Sequence, residues 1–345
     1  MKRLPTISIV TPTLNATKVL PEYAQGILKQ DYPKNKLEII VADGGSSDET
    51  PALMRRMFKG KGLRFKSLTN TLKTGEAGKA VGLKNAKGEL VLFLDSDNII
   101  VGKKWLKRMV EPFADPKIVG AEPWQFTARK SDSYITRYTS QLGMSDPFSY
   151  FVGNYDHLSI LSDQLTGLAI KFNDHGRYLS FLIDPANIPT IGANGALLRR
   201  SLFAGFRGDY LFDIDVLYQL AIKRKGIRYA KVKVGLVHLF SGNFASFIRK
   251  QYRRVVDYRY FAKSGIRSYP WPQFSYLGLA KFLLACFSII PLLAQTIVGL
   301  ARSRDWAFLF HPIACYTTLF VYAAGLIKST IISTPASRAG WRQTK

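Results

Sequence analysis

Two aspartates, Asp95 and Asp97, directly follow the apolar run LVLFL at residues 90–94. A buried strand that ends in two carboxylates one residue apart can direct oxygens from both side chains toward one hard divalent cation. Such a cation, Mg²⁺ or Mn²⁺, prefers few carboxylates together with phosphate oxygens of a substrate. A polar turn without a metal is the alternative, because the pattern is short. The pair therefore indicates a metal site. The function of such a site depends on the elements that position it.

Three more strand-like runs precede this one. ISIVTPT, LEIIVAD, LRFKSLT and ELVLFLD alternate with amphipathic stretches that predict helices at 19–29, 49–58 and 77–86. This alternation predicts an α/β fold with a mostly parallel sheet covered by helices on both faces. Ligands of such sheets bind beyond the carboxyl ends of the strands, so TPTLN, ADGGSSDET and DSDN are expected at one edge. Residues 128–190 have no clean period and are expected to form loops and short helices that line a cleft.

The chain is strongly basic. Its 345 residues contain 49 Lys and Arg against 24 Asp and Glu, a net charge of +25. An anionic partner follows from this balance: nucleic acid, a phospholipid surface or a phosphorylated substrate. Most of the surplus lies from Lys231 onward, where sixteen basic residues face only two acids.

The same region contains two apolar stretches without charge, residues 282–301 and 306–327. Each is near the roughly 20 residues that span a bilayer, which predicts two transmembrane helices within 276–330; a buried hairpin of a soluble domain is the alternative. Only RSRD separates them, so both flanks are expected on one side, and the basic residues before 282 and in the tail at 331–345 make that side cytoplasmic. Because no signal peptide opens the chain, we expect the N-terminal domain to be cytoplasmic. With the two predicted spans, we expect a multi-pass protein of the cell membrane.

The segments SIVTPTLN, VADGGSSDET and GKAVGLKNAKGELVLFLDSDN resemble, in order and spacing, the catalytic domain of glycosyltransferase family 2, which has the GT-A fold. The likeness is good over residues 6–125 and patchier to about residue 262. It implies a catalytic domain at 1–240, with a nucleotide-sugar half at 6–125 and an acceptor half at 126–240. It also implies a UDP- or GDP-sugar donor and makes DSD the family's metal-binding D-x-D motif.

The resemblance assigns the donor site to residues at the strand ends. They are Pro12, Thr13, Asn15, Asp43, Gly44, Lys79 and Asp95. Asp43 would accept a hydrogen bond from an N–H of uracil or guanine, while Gly44 lets the backbone approach closely; a turn-stabilising aspartate is the alternative. Lys79 would reach the donor phosphates as a point charge, with an ordinary solvated helix lysine as the alternative.

The segment TIGANGALLRRSLF is similar to the family's acceptor-side loop. Gly192, Asn194 and Gly195 would present backbone N–H groups and an amide to the acceptor. The family places a catalytic base at the start of the next helix, where an inverting transfer needs a carboxylate to take the acceptor's proton. This chain has Asp213 and Asp215 there, and the spacing to the following glycine favours Asp215 while leaving Asp213 open.

A basic amphipathic helix is predicted at 244–268. Arg249, Lys250, Arg253 and Arg254 share one face, which suits a helix lying among lipid headgroups. QYRR resembles the family's Q-x-x-R-W segment without its tryptophan, and implies acceptor contacts by Gln251, Arg253 and Arg254. His238 is a possible third metal ligand, with a buried and hydrogen-bonded histidine as the alternative.

These features together predict a metal-dependent inverting glycosyltransferase that acts on polyprenyl phosphate or a lipid-linked glycan at the cytoplasmic membrane face. A processive polysaccharide synthase is the nearest alternative, although two spans are few for a channel. A nucleic-acid-binding protein would explain the charge but leaves the apolar spans and clustered carboxylates unexplained, so no nucleic acid partner is expected. An inactive membrane anchor is the third alternative, because the base segment is altered.

Overall fold

The computed structural model describes residues 3–270 and 276–328. The predicted basic tail at 331–345 and the last two residues of the predicted membrane segment lie outside the described residues.

The chain divides into two compact units, each assembled from separate segments. The first unit contains Met1–Trp124, Ile170–Asn187 and Ile191–Val237, and the second contains Gln125–Ala169, Ile188–Thr190 and His238–Lys345. The predicted boundary at residue 240 does not follow this division, because the segment 125–169 packs with the C-terminal helices. The predicted acceptor half at 126–240 is therefore shared between the two units.

The strands and helices of the first 95 residues agree closely with the sequence pattern. The strands are β1 Ile7–Thr13, β2 Leu37–Asp43, β3 Arg64–Thr69, β4 Leu90–Phe93, β5 Asn98–Ile100, β6 Ile118–Thr127, β7 Asn173–Asp174, β8 Tyr178–Leu182, β9 Ala196–Arg199 and β10 Arg228–His238. The helices are α1 Leu20–Leu28, α2 Thr50–Phe58, α3 Gly75–Asn85, α4 Trp105–Val110, α5 Tyr134–Leu142, α6 Phe148–Val152, α7 Asp213–Lys223, α8 Phe244–Lys263, α9 Tyr276–Ser288, α10 Ile290–Ser303 and α11 His311–Lys328.

The strands form a mixed sheet in the order β3-β2-β1-β4-β9-β6-β10-β8-β7, with β5 paired to β10. Strands β3, β2, β1 and β4 are parallel, whereas β9 is antiparallel to β4 and β8 is antiparallel to β10. The prediction of a mostly parallel sheet is thus confirmed for the first four strands, whereas β9 enters in the opposite direction and β6, which is antiparallel to β9, again runs with the first four. Strand β2 is buried at every position, as expected for a parallel strand covered on both faces.

Helix α3 lies unusually close to strand β1 because two glycines face the strand. A Cβ atom at Gly78 would lie 2.8 Å from Cβ of Pro12, and a Cβ atom at Gly82 would overlap the side chain of Val10. Only glycine permits this approach. It fixes Lys79, the residue after Gly78, beside the carboxyl ends of the parallel strands.

Three helices begin at side chains that accept a hydrogen bond from a backbone N–H of the first turn. Thr74, Ser133 and Asn243 cap α3, α5 and α8, and Asn243 forms a reciprocal capping box with Ser246. The predicted basic helix therefore begins as expected, and it ends at Lys263 rather than at residue 268.

The polar residues of the apolar C-terminal helices bond to one another inside the second unit. The ring of His311 on α11 hydrogen-bonds through Nδ1 to the hydroxyl of Tyr138 on α5 and through Nε2 to Oε1 of Gln295 on α10, each at 2.8 Å. His311 is completely buried. Because these groups satisfy each other, their burial carries little penalty and the outward faces of the helices stay apolar.

The first predicted membrane span, residues 282–301, is not one helix. Helix α9 ends at Ser288, α10 begins at Ile290, and the two are bent by 92° at the break. Ile289 lies at the break with φ +58°, and Pro291 has no N–H with which to continue the helix. The second predicted span, Trp306–Ile327, is long and apolar enough to cross a membrane. The first of the two predicted transmembrane helices is therefore a bent helix pair, and two membrane spans stay a prediction.

Replacement of Gly82 by alanine should destabilise the first unit, because the added methyl group overlaps Val10. We expect the free energy of unfolding to fall by about 1–3 kcal/mol, the range for overpacked cores. Gly75→Ala on the same helix is the control, since an added Cβ there meets nothing within 4 Å. Thermal melts followed by circular dichroism would measure both, and equal melting temperatures for the two variants would contradict the packing described for α3.

Candidate active site

The carboxyl ends of the parallel strands meet at one edge of the sheet, as the sequence predicts. Thr13 at the end of β1 is in register with Asp43 at the end of β2, and Asp43 is in register with Thr69 at the end of β3. The hydroxyl of Thr13 donates a hydrogen bond to Oδ1 of Asp43 at 2.9 Å. The first two predicted donor-binding segments are therefore joined directly.

Asp43 closes the loop that follows β2. Its Oδ1 accepts from the hydroxyls of Thr13 and Ser46, and its Oδ2 accepts from the backbone N–H groups of Gly45 and Ser46, at 2.6–3.0 Å. An ionised carboxylate offers about four acceptor sites, and these contacts fill them. The geometry thus matches the turn-stabilising alternative, and contact of Asp43 with a nucleobase stays a prediction.

Asn15 links the loop after β1 to the same turn. It has φ +50°, its Oδ1 accepts from the N–H of Ser47 at 2.9 Å, and its N–H donates to Oγ of Ser46 at 2.9 Å. Asparagine tolerates this left-handed conformation better than most residues. Pro12, Thr13, Asn15 and the Gly44 turn thus form one hydrogen-bonded rim.

Asp95 and Asp97 lie in a tight turn between β4 and β5. Both are half-buried, the N–H of Asn98 donates to the carbonyl oxygen of Asp95 at 2.9 Å, and the side-chain amide of Asn98 donates to Oδ1 of Asp97 at 3.0 Å. The donor set fits Mg²⁺ or Mn²⁺, which takes one or two protein carboxylates and completes its shell with phosphate and water. Within residues 3–270 and 276–328, no group of three or more His, Cys, Asp or Glu side chains could hold a metal ion.

His238, the predicted third metal ligand, belongs to the second unit. Its ring centroid lies 5.2 Å from that of Phe126 and 5.7 Å from that of Phe240. The histidine therefore belongs to an aromatic cluster, and its role as a third metal ligand stays a prediction.

The glycine-rich loop before β9 lies opposite the acidic turn. Phe93 of β4 is in antiparallel register with Ala196 of β9, so the residues before Ala196 face those after Phe93. Gly192 and Gly195 have φ +103° and +71°, which other residues rarely adopt, and a Cβ at Gly192 would lie 3.0 Å from Cβ of Asp213. The sheet register thus brings the predicted acceptor loop, including Asn194, to the predicted metal motif and to the start of α7.

Lys79 and Asp213 form a buried ion pair. Nζ of Lys79 lies 2.6 Å from Oδ2 of Asp213, and it also lies 5.9 Å from the ring centroid of Phe93. Burial lowers the pKa of Lys79, but the charges of Asp213 and Asp95 outweigh it and hold the pKa above its ordinary value. Lys79 is therefore a fixed cation at the strand ends, and the alternative of a solvated helix lysine is wrong.

Asp213 combines a paired oxygen with an unpaired one. Oδ2 accepts from Lys79, while Oδ1 is buried without a hydrogen-bond partner. Burial raises the pKa of Asp213 to about 6, against the opposing effect of Lys79 and with further contributions from Asp95 and Glu76. An unpaired buried carboxylate oxygen is costly, so it marks a position where an arriving donor would be stabilising. Asp215, two residues on in the first turn of α7, is also buried.

The sequence pattern missed a further buried carboxylate in the first unit, beside the loop at Gly192. Glu122 on β6 is completely buried, and its Oε2 accepts from the N–H of Gly192 at 2.9 Å and from the hydroxyl of Tyr229 at 3.2 Å. Its Oε1 pairs with Lys231 on β10. The only sequence signal is a charged residue in the middle of each apolar strand. The ion pair of Glu122 with Lys231 thus supports the predicted acceptor loop at Gly192 from inside the sheet.

The predicted acceptor residues of α8 are bonded inside the second unit. Gln251 is completely buried, its amide donates to the carbonyl oxygen of Ser145 at 2.7 Å, and its Oε1 accepts from Arg254. Arg254 also lies 3.7 Å from Asp146. These contacts suit a role in fixing the helix, and acceptor contact by Gln251, Arg253 and Arg254 stays a prediction.

The chain is similar to known transferases over less than a third of its length. The poly(ribitol-phosphate) β-N-acetylglucosaminyltransferase TarS of Staphylococcus aureus is 37% identical over 102 residues, 29% of this chain and 17% of that protein. The GalNAc(5)-diNAcBac-PP-undecaprenol β-1,3-glucosyltransferase of Campylobacter jejuni is 36% identical over 96 residues, 28% of this chain and 30% of that protein. The UDP-Glc:α-D-GlcNAc-diphosphoundecaprenol β-1,3-glucosyltransferase WfgD of Escherichia coli is 35% identical over 99 residues, 28% of this chain and 37% of that protein. The chain thus matches less than half the length of each of these curated relatives.

A solved structure shares the fold. It is the mannosyltransferase PcManGT from Pyrobaculum calidifontis in complex with GDP-Man and Mn²⁺, with a TM-score of 0.56 and 19% identity, and the match covers 96% of this chain and 88% of that one. The model of the family described as "Glycosyl transferase family 2" matches residues 8–204. Since this match covers more than half of the chain, the protein belongs to glycosyltransferase family 2 and is a transferase with the GT-A fold.

Proposed function

We propose that the protein transfers a sugar from a nucleotide-diphosphate donor, a UDP- or GDP-sugar, to the hydroxyl of a lipid-linked glycan at the cytoplasmic membrane face, with inversion. The observation that carries this proposal is the group of buried charges at the strand ends. Lys79, Asp213 and Asp95 influence one another there beside the glycine-rich loop. No structural requirement of the sheet explains a fixed cation and several carboxylates at the ligand-binding edge, whereas transfer from a diphosphate uses both.

Asp95 and Asp97 are the residues that would hold Mg²⁺ or Mn²⁺, and such an ion supplies charge neutralisation for a leaving diphosphate. Mn²⁺ and GDP-mannose accompany the fold relative PcManGT, which supports a divalent ion and a nucleotide-sugar donor. Lys79 adds a fixed positive charge at the same edge. Its ion pair with Asp213 keeps it oriented before a donor binds.

Asp213 is the group that we propose to accept the acceptor's proton. Its Oδ1 is unpaired, its pKa of about 6 lies close to neutral pH, and it adjoins the loop at Gly192. A base is useful when the acceptor is a hydroxyl and unnecessary when it is an ionised phosphate. We therefore favour a glycan hydroxyl over polyprenyl phosphate. Asp215, favoured by the sequence spacing, is the alternative base.

The lipid-linked nature of the acceptor is supported by two independent features. Two of the relatives named above act on undecaprenol diphosphate-linked sugars. The second unit also exposes many large apolar side chains on α9, α10 and α11. Exposed apolar surface of this extent is typical of membrane-associated proteins.

Asp95→Asn and Asp97→Asn should each abolish sugar transfer, because each removes a carboxylate from the proposed metal site. We expect a loss of at least about 100-fold in transfer from UDP- or GDP-sugars with Mn²⁺ present. Asp209→Asn, on an exposed pair with Lys84, is the matched control. Melting curves should be unchanged in all three variants, and full activity of either turn variant without added metal would contradict the proposal.

The pH profile should show which group is the base. Because Asp213 must be ionised to accept a proton, kcat/KM should fall as the pH drops below about 6. Asp213→Asn should lose this limb together with about 100-fold or more of the rate, and Asp215→Asn should retain the limb. The reverse pattern would assign the base to Asp215.

Removing the positive charge of Lys79 should shift the pH at which kcat/KM falls on the acidic side of the profile. Lys79 lowers the pKa of Asp213, so Lys79→Met should raise it and shift the acidic limb to higher pH. Lys84→Met removes an exposed lysine from the same helix and should leave the limb in place. A Lys79→Met profile that coincides with the unsubstituted enzyme would show that the ion pair does not set the basicity of Asp213.

A further inference from the structure

We infer that helices α9 and α10 insert into one leaflet of the membrane and return to the face from which they enter, while α11 stays at the interface, so that the described chain is attached to the bilayer without crossing it. The bend between α9 and α10 then forms an apolar wedge, which we define as residues 284–298. The inference concerns the mode of membrane attachment and does not depend on the reaction proposed above.

The wedge is exposed and uncharged. Phe287 and Ile290 expose 79% and 71% of their surface, and Leu284, Leu293 and Ile297 are also largely exposed. Residues 282–301 contain no charged side chain, and the first charges on either side are Lys281 and Arg302. An exposed apolar surface between two cations matches hydrocarbon beneath a layer of anionic headgroups.

Both ends of the bent pair contact the same group of loops in the second unit. At the start of α9, a Cβ added to Gly278 would lie 2.7 Å from the carbonyl oxygen of Phe151. At the end of α10, the guanidinium of Arg302 donates to the carbonyl oxygens of Ile160 and Leu161 at 2.7 and 3.1 Å. The chain therefore leaves from and returns to residues 151–161, which include polar loops that cannot lie in hydrocarbon.

The dimensions fit one leaflet. Helices of 13 and 14 residues are about 20 Å long each at 1.5 Å per residue, shorter than the roughly 30 Å hydrocarbon core. Two such arms that meet at 92° place the bend about 14 Å from the line joining their far ends, which is close to half the core thickness.

Helix α11 cannot cross the membrane in this arrangement, although it is long enough. Helix α11 lies along the basic helix α8. Just before the start of α11, Phe310 packs against Phe247 with ring centroids 5.3 Å apart. Toward the end of α11, a Cβ added to Gly325 would meet Val255. Helix α8 carries Arg249, Lys250, Arg253 and Arg254 along this length. Each such charge is costly to place at the centre of a bilayer. A helix that runs beside α8 therefore stays at the interface with it.

Polar contacts at both ends of α11 support the same orientation. Asp305, just before the helix, pairs with Arg137 at 3.0 Å, and Tyr322 donates to Oδ2 of Asp146 at 2.6 Å. Both partners come from the short segment 134–152, whose charged residues would have to cross the bilayer if α11 did.

Topology mapping with one introduced cysteine at a time would test the inference. The full chain would be produced in a bacterial host with Arg304→Cys in the connector between α10 and α11, or with Lys59→Cys on the exposed surface of the first unit. A membrane-impermeant maleimide would be added to spheroplasts and to inverted membrane vesicles. We expect Arg304→Cys and Lys59→Cys both to react in inverted vesicles and neither to react in spheroplasts. The unsubstituted chain, whose two cysteines are buried, sets the background.

Other outcomes would overturn the inference. Labelling of Arg304→Cys in spheroplasts would show that α9 and α10 together cross the bilayer as the sequence-based hairpin requires. Labelling from neither side until detergent is added would place the connector inside the bilayer, which the single-leaflet arrangement excludes. A third variant, Ile290→Cys, should be protected in both preparations, and its reaction in either one would show that the wedge is not inserted.

Discussion

The ion pair between Lys79 and Asp213 is the interaction on which the first unit's ligand-binding edge depends. It joins a helix from the donor-side segment to a helix from the acceptor-side segment, and both side chains are largely excluded from water. Breaking such a pair leaves an uncompensated buried charge, at a cost of about 3–5 kcal/mol. Gly78 and Gly82 allow α3 to lie close to β1, and Gly192 allows the loop before β9 to lie close to Asp213. These close approaches permit the contact between Lys79 and Asp213. A ligand that offers phosphate to Lys79 or a proton donor to Asp213 can replace half of the pair.

Glu122 and Lys231 repeat this arrangement beneath the acceptor loop. The carboxylate of Glu122 holds the backbone of Gly192 from inside the sheet, so the loop is supported on one side by a buried charge and on the other by α7. Two buried ion pairs that flank this loop restrict its movement more than surface contacts would. The proposed acceptor side of the site is thus preorganised, which would reduce the ordering that substrate binding must impose.

Local patterns predicted the first four strands, their helices and the edge where they end, because these depend on short-range periodicity and on the parallel arrangement. They could not predict partners that are distant in sequence: Lys79 and Asp213 are 134 residues apart, and Glu122 and Lys231 are 109 apart. Hydropathy also did not predict the geometry of the C-terminal helices. It measures how apolar a helix is but not whether its faces meet protein or lipid, and so it could not foresee the bend at Ile289 or the packing of α11 on α8.

The segmented composition of the two units has a consequence for biosynthesis. Helices α5 and α6 are made early, yet the residues that cover them belong to segments after His238. Likewise, β10 reaches the sheet only when about two thirds of the chain has left the ribosome. Neither unit can close on itself during the first half of translation, so folding is dominated by late, long-range contacts and is correspondingly slow. Apolar faces of the nascent chain stay uncovered for that period, so the membrane attachment inferred above would make the timing of membrane encounter part of how this protein reaches its native state.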